Sequence, residues 1–169
     1  MKNIQNKKPL IGIIGGTSQF GQWFKFFFEN NDCDCLVASR ITKLTPAELA
    51  RQADIVIVSE PIRETVKVIC EIRDLLKPTA LFCDFTSLKE EPLKELLKRK
   101  RGGVLGMHPL FGPLTPFLAG QKIVFCRGRN NKWVGFLKKL FEKKGGKIVE
   151  MSASEHDKQM AMIQAMTHF

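Results

Sequence analysis

The sequence predicts a doubly wound α/β fold, a mostly parallel sheet with helices on both faces, and three observations carry that prediction. Short apolar runs rich in β-branched residues recur along the chain, as strands buried on both faces require. Amphipathic stretches with helix-start signals stand between them. Directly behind the first apolar run lies a turn of small residues, where such a sheet passes from strand to helix. The 169 residues and 44% hydrophobic content suffice for one domain with a real core, and the chain shows neither an internal repeat nor a low-complexity linker.

Leu10, Ile11, Ile13 and Ile14 form the first strand. Residues 22–30 form a helix whose Trp23, Phe24, Phe26, Phe27 and Phe28 read as core packed on a sheet rather than as a cofactor box, and Asn30, Asn31 and Asp32 break it. Residues 35–38 are the second strand, ending at Ser39 and Arg40. Thr45, Pro46 and Glu48 start a helix with a cap, a proline at the first helical position and an acidic residue that closes a capping box. Residues 54–59 are the third strand, Pro61 opens a helix to about Leu76, and residues 80–83 form a fourth strand ended by Asp84. A helix over 89–100 with Pro92 in its first turn precedes a fifth strand, 103–107, which leads into His108 and Pro109. Residues 110–121, with Pro113, Pro116 and two glycines, read as an ordered loop; strand 123–126, helix 133–144 and strand 148–151 follow. A capping box, Ser152-x-x-Glu155, then starts a helix that runs to the last residue without a stop signal.

The formal net charge of +10 suits anionic partners, from nucleic acid to phosphates and carboxylates. Lys98 to Arg101, and Lys138, Lys139, Lys143, Lys144 and Lys147, carry much of it without interleaved aromatics, so they read as solvated helix ends rather than a nucleic-acid platform. The five cysteines show neither zinc spacing nor a disulfide framework, and Cys70, Cys83 and Cys126 lie in apolar runs that predict buried thiols. Free cysteines fit a reducing cytoplasm. Residues 1–9 are polar and basic, and no apolar run approaches the length of a membrane span, which predicts neither signal peptide nor membrane association.

In an open parallel sheet ligands bind beyond the carboxyl ends of the strands, and four such ends carry chemistry. At the first, Gly16-Thr17-Ser18-Gln19-Phe20-Gly21 matches the dinucleotide fingerprint G-x-G-x-x-G at its first and third glycines. A bound phosphate would rest on the following helix N-terminus. Ser18, at the middle position, either hydrogen-bonds that phosphate or weakens the fit. At the second end, Ser39 and Arg40 stand where a carboxylate would grip the ribose of NAD, and a serine with an arginine suits a 2′-phosphate instead; this favours NADP, with NAD possible. Arg40 as a plain surface residue is the alternative. The third end, Asp84-Phe85-Thr86-Ser87-Leu88-Lys89, reads both as a polar site and as a helix cap made by Ser87 or Thr86. At the fourth, His108 precedes Pro109 and a rigid turn, and a histidine there can take a proton from a hydroxyl whose carbon loses hydride.

IGGTSQFG at 14–21, DIVIVSEPI at 54–62, DFTSLK at 84–89 with LGMHPLFGP at 105–113, and EHDKQMAMIQAMTHF at 155–169 resemble the nucleotide-binding domain of the prephenate dehydrogenases. That family oxidatively decarboxylates prephenate to 4-hydroxyphenylpyruvate in tyrosine biosynthesis. The resemblance implies a Rossmann-type domain over 1–151 and, over 152–169, the first helix of a helical dimerisation domain that the chain leaves at Phe169. It implies His108 as base, with Ser87 assisting. It places Gly15, Gly16, Thr17, Ser18, Gln19, Phe20, Gly21, Ser39, Arg40, Glu60 and Pro61 at the cofactor and Lys89 and His168 at the substrate, with no metal. The implied partners are a small-molecule substrate and a second copy of the chain. Ser18 and the Ser39-Arg40 pair depart from the family pattern. Arogenate dehydrogenase, a deazaflavin-dependent NADP reductase and a non-catalytic nucleotide-binding remnant are the alternative readings. The reductase would need neither the histidine-proline pair nor the D-x-x-S-x-K stretch.

Overall fold

The computed structural model describes residues 8–167. Its elements run β1 (Leu10–Ile14), α1 (Gln19–Glu29), β2 (Asp34–Ala38), α2 (Pro46–Gln52), β3 (Ile55–Val58), α3 (Ile62–Ile72), β4 (Leu81–Asp84), α4 (Glu90–Leu97), β5 (Gly103–Pro109), β6 (Lys122–Arg129), α5 (Lys132–Lys143), β7 (Lys147–Glu150) and α6 (Ala153–Thr167). One seven-stranded sheet in the order β2-β1-β3-β4-β5-β6-β7 holds them all; only β5 and β6 pair antiparallel. The chain is therefore a doubly wound α/β fold, with the direction of winding reversing between β1 and β3.

Alternation along the strands explains why both faces need a helical cover. Ile55 and Ile57 join Phe24 and Phe28 of α1 and Val134, Leu137 and Phe141 of α5 in one buried cluster. Val56 and Val58 join Leu49 of α2, Ile69 of α3 and Leu93 and Leu96 of α4 in the other. A period of two sends neighbouring residues to opposite faces, so a strand covered on both sides must be apolar throughout. The aromatic rings of α1 are core: Phe24 lies 4.2 Å centroid to centroid from Phe85 and Phe28 lies 6.1 Å from Phe141. The start signals of α2 and α6 hold as read, with capping boxes at Thr45–Glu48 and Ser152–Glu155.

Several local readings need correction. β5 runs on through His108 and Pro109 because β6, longer than its apolar centre, pairs with it to the end, Pro109 opposite Ile123. α1 begins at Gln19, since Ser18 is its N-cap and accepts a hydrogen bond from the Gly21 amide at 3.0 Å. Arg99 is not part of a solvated helix end. It is 4% exposed and donates to the carbonyls of Leu76, Lys77 and Ala80. Cys70 is exposed on the outer side of α3, whereas Cys83 and Cys126 are buried as expected. No helix among the described residues is long and apolar enough to cross a membrane.

Candidate functional site

The carboxyl ends of β1, β3, β4 and β5 open on one cleft of about 540 Å³, lined by Ser18, Phe20, Glu60, Pro61, Ser87 and His108 among others. Six residues from four separate stretches of sequence thus meet at the reversal of the winding, where an open α/β sheet binds its ligand.

One wall is the glycine turn. Gly15 has φ +82°, and a Cβ there would come within 2.3 Å of the Ser59 carbonyl oxygen. A Cβ on Gly21 would meet the Gly16 Cα at 2.5 Å, so its absence lets α1 sit directly on the turn. Thr17, Ser18 and Gln19 are exposed above it. Ser18 spends its side-chain oxygen on the Gly21 amide, leaving Gln19 and Phe20 at the head of α1 with amides that have no partner inside the helix. This wall fits a dinucleotide: a tight turn, a close helix and outward amides at the positive end of a dipole.

At the neighbouring end of β2, Ser39 is tied into its own turn. Its amide donates to Thr42 Oγ1 at 2.8 Å and its hydroxyl oxygen accepts from the Ile41 amide. The Arg40 side chain is 82% exposed and pairs with Glu64 at 2.9 Å. A 2′-phosphate at Arg40 would therefore displace a surface ion pair, a contact worth about 0–1 kcal/mol. Glu60, over Gly15, is partly buried, and burial pushes its carboxyl up from the usual range while Arg40 opposes the shift.

The other wall is a buried polar network. Lys89 was expected at the substrate, but it is 0% exposed. Its ammonium donates to Asp84 and, at 2.8 Å, to the Met107 carbonyl. An ammonium enclosed with a carboxylate joins the ends of β4 and β5 rather than facing the cleft. Neither Ser87 nor Thr86 caps α4. The amides of Lys89 and Glu90 donate instead to the two carboxylate oxygens of Asp157 on α6, at 2.8 and 2.9 Å. Ser87 is left exposed at the cleft.

Asp157 also reaches His108. Its Oδ1 lies 2.7 Å from His156 Nδ1, and His156 Nε2 lies 2.8 Å from His108 Nδ1. His156 is 0% exposed. Burial, with His156 and Lys89 nearby, pushes the His108 imidazole down to about 4, Asp157 opposing, so its ring is neutral near pH 7. Burial tends to raise the Asp157 carboxyl, but the hydrogen bonds from Glu90, His156 and Lys89 hold it below the usual range. Neither His156 nor Asp157 was expected at the site from the sequence. The signal was the adjacent His156-Asp157 pair directly behind the Ser152–Glu155 capping box, and such side chains, once buried, demand partners. His168 lies outside the described residues. Among the described residues no group of His, Cys, Asp and Glu could hold a metal ion.

Comparison with known proteins follows the same outline. Residues 36–150 match the model of the prephenate dehydrogenase nucleotide-binding domain. The chain is 31% identical to a probable arogenate/prephenate dehydrogenase of Methanocaldococcus jannaschii over 98% of its own length and 42% of that protein's. It is 34% identical to the T-protein of Haemophilus influenzae over 99% of its own length and 45% of that protein's. It thus spans less than half of these two relatives. The arogenate dehydrogenase of Synechocystis has the same fold, with a TM-score of 0.79 at 19% identity over 91% of this chain and 63% of that one.

Proposed function

The chain belongs to the prephenate dehydrogenase family, matched across the nucleotide-binding domain, and from that premise we propose that it is the cofactor-binding part, 1–151 with the first helix of a helical domain over 152–169, of an NADP-dependent dehydrogenase that oxidatively decarboxylates prephenate or its amino counterpart arogenate. The observation that carries this reading is the cleft itself, with a dinucleotide-type glycine turn on one side and a neutral, half-buried histidine on the other.

The residues divide the work by position. Gly15, Gly16, Thr17, Ser18, Gln19, Phe20 and Gly21 would hold the pyrophosphate through the turn and the head of α1, Glu60 and Pro61 would stand beside the cofactor in the cleft, and Ser39 and Arg40 would take the 2′-phosphate. The cofactor, when bound, supplies the acceptor for the hydride leaving the hydroxyl-bearing ring carbon. His108 takes the proton of that hydroxyl, so the oxygen can form a carbonyl as the hydride departs. Loss of carbon dioxide then aromatises the ring, and His108 can return the proton to the phenolic oxygen. Ser87, exposed beside it, offers a hydroxyl to the same substrate oxygen.

The test is calorimetric titration of the chain with NADP and NAD, beside turnover of prephenate and of arogenate in a form that matches its relatives' length. Tighter binding of NADP and turnover of one of the two acids are expected. Failure to bind either dinucleotide would overturn the reading.

A further inference from the structure

Three side chains stand in line from the cleft to the surface. His108 lines the cleft at the end of β5; His156, fully buried on α6, touches it ring to ring; Asp157 follows, with its carboxylate set on the amides that open α4. A carboxylate can only accept hydrogen bonds, so the His156 nitrogen facing it, Nδ1, must carry a proton. With one proton on each ring, His156 Nε2 is then an acceptor, and the nitrogen that faces it, His108 Nδ1, must be the donor. The order of donors along the line therefore fixes the tautomer of its last member.

We propose that His156 and Asp157 are positioning residues for His108: through this line they keep its Nδ1 protonated, leave Nε2 as the nitrogen that can take a proton, and hold the ring in place when it becomes charged. The proposal rests on the reading of His108 as the base and goes further, since it makes that base a unit of three residues shared between the sheet and α6. The second histidine bridges a gap that a carboxylate fixed to the head of α4 does not span by itself. Asp157 is held by two backbone amides, so the line ends on a rigid anchor rather than on a mobile side chain. When His108 takes a proton at Nε2, its Nδ1–H still points at His156, and the carboxylate beyond stabilises the charge.

Two-bond 1H–15N correlation spectra of the chain, which has three histidines, read the tautomers without any turnover. Wild type is expected to show His108 with a protonated Nδ1 and a bare Nε2. Asp157→Asn replaces an obligate acceptor with an amide that can also present its NH2 to His156, so the wild-type tautomer is no longer enforced and His108 protonated on Nε2 should appear. Because Asp157 also caps α4, a second pair of variants guards against misfolding. His156→Gln can still accept from His108 and donate to Asp157, so it should keep the wild-type tautomer, while His156→Leu should lose it. In a form with turnover, Asp157→Asn should lower kcat by roughly 10²-fold or more with cofactor affinity kept. The groups acting on His108 are His156, Lys89 and Asp157, and only Asp157 favours its charged form, so the acid limb of kcat should move to lower pH in Asp157→Asn. A wild-type His108 protonated on Nε2, or a tautomer unchanged in both Asp157→Asn and His156→Leu, would overturn the proposal. The expected tautomers in a protein that turns over neither acid would leave this arrangement standing and remove the reading of the reaction instead.

Discussion

The glycine wall of the cleft and the histidine wall are built by opposite means. The first comes from one stretch of chain, residues 10–21, in which a strand, a turn and a helix head follow one another, and its polar side chains sit at the surface. The second collects Asp84 and Lys89, then His108, then His156 and Asp157, partners up to 68 positions apart in the chain, and buries most of them. Geometry in the first is a property of the backbone. In the second it is a property of side chains that satisfy one another out of water, so each depends on the rest.

The largest expected effect separates the walls by stability. Lys89→Met leaves the buried Asp84 carboxyl without the ammonium it pairs with, and breaking a buried pair costs about 3–5 kcal/mol. Urea unfolding measures it, and a loss below about 1 kcal/mol, as at a surface pair, would erase the contrast. On the glycine wall, Gly15→Ala forces a side chain into positive φ against the Ser59 carbonyl, which costs on the order of 1–3 kcal/mol. Dinucleotide binding should fall with it, while the His108 tautomer stays as it is. A variant that binds NADP normally would show that the turn does not depend on its glycine.

The walls also differed in how far the sequence disclosed them. β1, the glycine turn and the capping boxes at Thr45 and Ser152 were legible because each is decided within a few residues. Lys89 was misplaced because nothing local tells an ammonium at a strand end from one folded back under the strand; its partners, Asp84 and the Met107 carbonyl, come from two different strands. The cap of α4 was sought in Ser87 and Thr86, the nearest hydroxyls, and is supplied by Asp157 from another helix. On α6 His156 is buried while Met162, Ile163 and Met166 are exposed, an order that follows from its contact with His108 and not from hydropathy. β5 was cut short for a similar reason: only pairing with β6 carries the strand through His108.

Smaller effects sharpen the comparison at the surface. Because Arg40 is exposed and paired with Glu64, Arg40→Ala should weaken NADP by about tenfold, near 1.4 kcal/mol, and leave NAD nearly unchanged. Glu64→Gln should strengthen NADP, since it frees the arginine. Equal affinity of the wild type for the two dinucleotides would remove Arg40 from the site. The gentlest signal is a pH slope, because His108 keeps some contact with solvent. Its folded value of about 4 lies below the ordinary 6.5, so between these values the unfolded chain binds more protons and stability falls as pH drops. His108→Asn should flatten that part of the stability profile, and an unchanged slope would mean that other groups carry it.

Steady-state turnover of His108→Asn tests directly whether His108 is the base. The measurement takes a form that matches the relatives' length, with saturating NADP and either prephenate or arogenate. If His108 is the base, kcat falls by roughly 10²–10⁴-fold, as removal of a general base produces, with the NADP dissociation constant unchanged. Near-normal turnover would contradict it and make His108 a structural member of the buried network.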